Sequence, residues 1–256
     1  MMMGIGFEML RYEERGNVAL ITYDRQERRN AWSVAMYREV VAAVERANAA
    51  ETVGAIVITN AGPVFCAGTD VKAPPEPRDP VTGRVVNVAT LSMAQDTSWL
   101  HLMARSKPVI AAVAGAAVGL GVTHILAADI RVGARSSSYS FPFLSLGLMP
   151  ELGATALLPR LVGYGRAVDL CLTAAKIDAD EALRIGLITR VFDDATLLDQ
   201  TVALAARVAG HPRLQSRLTK ELFQANTTEG EANPVLQRET DAFVTMLRAR
   251  KAAAAG

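Results

Sequence analysis

The chain has 256 residues, 50% of them hydrophobic and 21% charged, which is enough to bury one large core, with or without a small appendage. Its 27 basic residues nearly balance its 26 acidic ones, and a net charge of +1 gives no electrostatic footprint for nucleic acid or a membrane surface. The only cysteines, Cys66 and Cys171, leave no disulfide framework and fit a reducing cytoplasm.

Met1–Phe7 has neither the basic region nor the apolar core of a signal peptide. Strands are expected over Phe7–Glu13 and Val18–Tyr23, joined by a hairpin at Glu14–Asn17. Ser33 should cap a helix running to about Ala49, because Met36, Val40, Val41 and Val44 follow helical spacing. The β-branched run Ala55–Thr59 reads as a buried strand that exits into Phe65–Asp70, where small residues let the backbone turn and leave N–H groups unpaired. Residues 73–80 contain four prolines and are expected as a surface loop, a lid or a mere connector. A long helix over Asn87–Arg105 then leads to a second strand, Val109–Val113, and a second glycine-bearing exit, Ala114–Gly121. Residues 109–128 carry no Asp, Glu, Lys or Arg, yet Gly115, Gly119, Gly121 and His124 favour a buried strand, turn and helix over a membrane span. Asp129–Gly133 and the short Ile188–Val191 complete the strands. Helices are expected at 153–161, 166–173, 180–185, 195–209, 212–224 and 231–250, with a frayed tail from Ala252. Alternating apolar strands and helices imply βαβ units, a parallel sheet and an α/β fold.

Two strand exits of this kind in one domain can aim two N–H donors at one oxygen, which would stabilise a thioester enolate. The motifs Asp24-Arg25…Arg29-Asn30-Ala31, Phe65–Asp70, Val113-Ala114-Gly115…Gly119, Ala128–Arg131 and Gly147–Pro150 resemble, in that order, the crotonase family of enoyl-CoA hydratases and isomerases. The resemblance runs from about Glu8 to Arg248. It implies a crotonase-like spiral of ββα units over residues 1–190 and a C-terminal helical region, 191–256, that packs in homotrimers or hexamers.

It also implies an acyl-CoA thioester as substrate and no cofactor besides the CoA that the substrate carries. The oxyanion donors fall on the N–H groups of Thr69 and Leu120, where a leucine is a departure but the donor survives any side chain except proline. The two glutamates used by hydratases are replaced by Thr123 and Phe143. One acid remains, Glu151, at a position where some 3-enoyl-CoA isomerases carry a lone glutamate. It could equally be an acid favoured by the N-terminus of the helix at 153. CoA contacts are assigned to Cys66, Ala67, Gly68, Asp70, Gly119, Arg28 and Phe243, with Phe143 lining the acyl pocket. Arg28 can also be read as solvated charge, Phe243 as helix packing and Asp70 as a turn or cap residue. Cys66 is a packing residue, and His124 a core or interface histidine rather than a base. The expected activity is a shift of a 3-enoyl-CoA double bond. The alternatives are hydration with a rearranged water site, or a silent acyl-CoA-binding module.

Overall fold

The computed structural model describes residues 6–73, 78, 83, 86–88 and 98–255. Most of the proline-rich segment and residues 89–97 lie outside these, so most of the proposed lid and positions 89–97 of the helix expected over Asn87–Arg105 fall outside the described residues.

The chain repeats one local move. A buried strand in a first sheet ends, turns within a few residues, and starts a shorter strand in a second sheet. Thus β3 (Ala55–Asn60) is followed by β4 (Val64–Cys66), β5 (Val109–Val113) by β6 (Ala116–Val118), and β7 (Ile130–Ala134) by β8 (Ser138–Ser140). The first sheet also holds β1 (Leu10–Arg15), β2 (Val18–Tyr23) and β10 (Arg190–Phe192), in the order β1-β2-β3-β5-β7-β10. All its neighbours are parallel except β1 with β2, which pair antiparallel across Gly16-Asn17 from Arg15↔Val18 to Leu10↔Tyr23. The second sheet runs β4-β6-β8-β9, with β9 (Lys176–Asp178) antiparallel to β8.

Central strands read as continuous apolar runs because both faces are covered. Val18, Leu20, Ala55, Val57, Ile110 and Ala112 face α7 (Leu197–Ala209) through Leu197, Leu204 and Ala205. The alternate residues Ile21, Tyr23, Ile56, Ile58, Val109 and Val113 join the main core with α1 (Val34–Ala49). Ser33 caps α1 as expected, its hydroxyl accepting the Met36 N–H at 3.2 Å.

Between β4 and β10 lie α2 (Trp99–Arg105), the single-turn α3 (Leu120–Thr123), α4 (Ala154–Val162), α5 (Tyr164–Leu172) and α6 (Ala179–Arg184). The C-terminal α8 (Arg213–Asn226) buries none of its residues, and α9 (Ala232–Ala255) packs chiefly on α8. The first strand begins at Leu10 rather than Phe7, and α9 continues through the tail expected to fray. Among the described residues no helix is long and apolar enough to cross a membrane.

Candidate active site

Three glycines fasten the two strand exits together. A Cβ on Gly115 would lie 1.9 Å from the Pro63 carbonyl oxygen, and one on Gly121 would lie 2.3 Å from that of Cys66. On Gly68 it would meet the Val118 oxygen at 3.0 Å, with the Leu120 nitrogen 3.9 Å away. Parallel pairing of β4 with β6 adds Val64↔Ala116 and Cys66↔Ala117. The turn at Gly68-Thr69 therefore sits directly against the turn at Gly119-Leu120.

Both candidate donors are left free by how these turns are held. Thr69 forms a parallel bridge with Trp32, in which the Trp32 N–H donates to the Gly68 carbonyl at 2.8 Å and the Asp70 N–H to the Trp32 carbonyl at 2.9 Å. That pattern turns the N–H of Thr69 itself the other way. Leu120 opens α3 after Gly119 (φ 54°, ψ −116°), so its N–H is one of the helix's unpaired donors. Among the described residues neither N–H donates to a protein acceptor. The carbonyl of each donor's peptide accepts hydrogen bonds, Gly68 from Trp32 and Gly119 from Val122 and Thr123 at 2.8 and 3.0 Å, which polarises the N–H on the far side.

The surrounding side chains are locked in turn. Asp70 accepts from Arg25 Nη1 at 2.8 Å and from the Lys72 N–H at 3.0 Å. Burial raises the Asp70 carboxyl, but the Arg25 hydrogen bond and charge win and hold it below the usual carboxylate range. It is thus a turn residue paired with a cation, and whether a helix follows that it could cap lies outside the described residues. Arg25 also donates to the Ala31 carbonyl, Asn30 bridges to the carbonyls of Ala61 and Val64, and the Ala67 N–H donates to Arg29. The buried Cys66 thiol is pushed up to about 12 by burial, as suits a packing residue and not a nucleophile. A cavity of about 330 Å³ opens beside Thr69, lined by Arg25, Trp32, Asp70, Val86 and Val88 among others. Larger cavities of 460 and 590 Å³ flank α8 and include none of the candidate residues.

The two positions matched to the hydratase carboxylates carry no acid. Thr123 is fully buried, and its hydroxyl donates to the Leu120 carbonyl at 3.4 Å. Phe143 is buried with its ring 3.9 Å from a Cβ built on Gly119. Glu151 lies just before α4, which packs on the turn His124–Ala127 that continues α3. It is presented by two successive left-handed residues, Leu152 (φ 54°) and Gly153 (φ 72°). The leucine there costs about 1 kcal/mol of backbone strain. The Glu151 carboxyl is half-buried and raised above its ordinary value by desolvation alone. No side chain caps α4, so Glu151 is not serving that helix as a hydrogen-bonding cap.

Arg28 is exposed on the short turn Gln26–Arg28, where its charge acts on Asp70. Phe243 is exposed on α9 and is not brought to the other candidates within this chain. The sequence missed Arg25 as the partner of Asp70, and it missed the cage around His124, whose ring sits against Tyr23, Trp32, Phe65 and Trp99.

A family model described as enoyl-CoA hydratase/isomerase matches residues 13–253. A Rhodobacter capsulatus protein named as a probable enoyl-CoA hydratase is 36% identical over 90% of this chain and 85% of its own. The Escherichia coli 1,2-epoxyphenylacetyl-CoA isomerase is 34% identical over 86% of this chain and 83% of its own. The crystal structure of a Thermobifida fusca protein assigned as an enoyl-CoA hydratase, solved in complex with CoA, superposes with a TM-score of 0.81 at 32% identity, covering 95% of this chain and 94% of that one.

Proposed function

The chain belongs to the enoyl-CoA hydratase/isomerase family, the crotonases, and within that family we propose that it shifts the double bond of a 3-enoyl-CoA to the 2-position, with Glu151 as the single base. The observation that carries this reading is the set of residues around the two free N–H groups in the sequence motifs: Thr123 and Phe143 are buried and carry no carboxylate, while Glu151 is a desolvated carboxylate without a cap to hold.

The thioester oxygen sits between the Thr69 and Leu120 N–H groups. Glu151 takes the C2 proton, and the electron pair moves into the carbonyl as the oxygen becomes an enolate. The carboxylic acid so formed returns the proton at C4, the double bond closes between C2 and C3, and Glu151 is ionised again. Nothing is oxidised and no water is consumed, which is why one carboxylate suffices. Hydration would need a water held and activated while the neighbouring carbon is protonated, and neither Thr123 nor Phe143 has a pKa suited to that. CoA recognition is supported by the CoA complex of the T. fusca relative, and an isomerase acting on an acyl-CoA by the name of the E. coli one. Exposed Phe223, Leu236, Phe243 and Leu247 on α8 and α9 support assembly with further copies.

Glu151→Gln keeps size and removes the base, so isomerisation should fall by about 10²–10⁴. CoA affinity should be unchanged, and the wild type should hydrate crotonyl-CoA poorly. Unchanged isomerisation in Glu151→Gln overturns Glu151 as the base, and rapid crotonyl-CoA hydration overturns the isomerase reading in favour of a hydratase.

A further inference from the structure

We propose that His124 is a positioning residue for the oxyanion donor Leu120, tying the single turn of α3 to the buried sheet through Tyr23. The inference rests on the enolate reading above. A helix of four residues does not hold itself, and Gly119 with φ 54° and ψ −116° gives it no preceding turn to lean on. Its first carbonyl, that of Leu120, is instead gripped from the side. His124 Nδ1 lies 2.8 Å from that oxygen, beside the His124 backbone N–H and the Thr123 hydroxyl.

The partners fix the tautomer. A carbonyl has no hydrogen to give, so Nδ1 carries the proton and donates. Nε2 is then a lone pair, and it faces the Tyr23 hydroxyl at 3.2 Å, which donates to it. Tyr23 ends β2 and is itself fully buried between β1 and β3. The ring is stacked on Phe65 at 5.5 Å and 4°, and Trp99 Nε1 donates to the His124 carbonyl at 2.7 Å. An apolar side chain would fill this cage, but would leave the Leu120 carbonyl to the backbone N–H of residue 124 and the Thr123 hydroxyl, with nothing tying it to the sheet.

Among the described residues the faces packed on the ring come from β2, the Trp32 segment, β4 and α2, and bring no carboxylate or cation. Tyr23 and Cys66 are the titratable groups there, and burial keeps both neutral. Burial also lowers His124 to about 4, so the tether persists at neutral pH. Fixing the Leu120 carbonyl fixes the turn that aims the Leu120 N–H, and its effect belongs to the transition state, where the oxygen carries charge.

The test uses the full-length protein and cinnamoyl-CoA, a conjugated thioester whose absorbance moves to the red when its carbonyl is polarised. Wild type should show the red shift. His124→Leu should lose at least about half of it and about tenfold in kcat, with KM changed by less than about twofold. His124→Asn, whose amide N–H takes the place of Nδ1–H, should restore most of both. Tyr23→Phe keeps the ring and removes only the O–H, and should lower the shift part-way; it decides the matter with His124→Asn if the leucine variant does not fold. A full red shift and full kcat in a folded His124→Leu overturns the tether, and so does a Tyr23→Phe that loses neither together with a His124→Asn that restores neither. A wild type that binds the probe without any red shift overturns the enolate reading itself, and the tether falls with it.

Discussion

The two walls of the candidate site are built on different principles. The proposed oxyanion wall uses backbone: its candidate donors are the N–H groups of Thr69 and Leu120, and its shape comes from Gly68, Gly115 and Gly121, packed where no Cβ fits easily, and from Gly119 at φ 54°. The second wall, in the proposed reading, is made of side chains, namely Thr123, Phe143 and Glu151. A side chain can change on the first wall without loss of a donor, which is why a leucine can stand at position 120. On the second wall, in that reading, each side chain sets the chemistry. The division would let one scaffold keep an enolate site while the reaction that uses it varies.

The largest effect should come from breaking the first wall. In Gly115→Ala the new Cβ would meet the Pro63 carbonyl at 1.9 Å, at a backbone φ of 81° that alanine disfavours. Neither contact is the end of a flexible side chain, so strand exits must separate. We expect a stability loss of more than about 3 kcal/mol, read from a denaturant midpoint. A Gly115→Ala variant as stable as wild type would show that the two exits are not fastened there.

The next effect separates the buried support of the oxyanion wall from its rim. His124 titrates at about 4 in the folded chain because burial disfavours its charged form, against an ordinary value of 6.5 when unfolded. Between those values the unfolded chain binds a proton that the folded chain refuses. The stability is therefore complete above pH 6.5 and declines as pH falls toward 4, by about 3 kcal/mol for this one residue. Thermal unfolding across that range should lose this component of its slope in His124→Asn. An unchanged slope would place the acid sensitivity elsewhere.

Much of the first wall was legible in the sequence, because glycine spacing and apolar strands are local signals. Strands β6, β8 and β9 were not: each has three residues, too few for a period, and Ser138–Ser140 and Lys176–Asp178 are partly polar. The ββα repeat was therefore expected from the family resemblance and not from the periodicity of these strands. His124 was read as a core histidine and is buried as such, but its hold on Leu120 depends on Tyr23, more than 100 positions earlier. The Arg25–Asp70 pair, 45 positions apart, was hidden for the same reason.

That pair gives a smaller effect, since Arg25 retains the Ala31 carbonyl as an acceptor. Asp70→Asn leaves a mostly buried guanidinium, 14% exposed, with only the exposed Glu27 carboxylate 3.7 Å away as counter-charge. The expected loss is about 2 kcal/mol in the denaturant midpoint. The variant should also weaken acyl-CoA binding, because Thr69 is held by the same turn. A variant with wild-type stability would mean that the bridge from Trp32 to Thr69 alone secures the loop.

The smallest effect discriminates most sharply on the second wall. Desolvation raises the Glu151 carboxyl, so in the window just above its ordinary 4.5 the folded chain binds a proton that the unfolded chain has released. Stability from this residue is therefore greatest at low pH and declines as pH rises through that window. Removing the charge should relieve the strain of burying it: Glu151→Gln should melt slightly higher than wild type at pH 7 and no higher at pH 4. The acid limb of wild-type turnover should correspondingly lie above pH 4.5, because only the ionised carboxylate takes a proton from C2. An acid kept for the dipole of α4 would behave in the opposite way, with its carboxyl lowered and the glutamine variant melting lower at neutral pH. A fall in melting temperature for Glu151→Gln at pH 7, with turnover retained, would thus assign Glu151 to the helix and leave the second wall without a base.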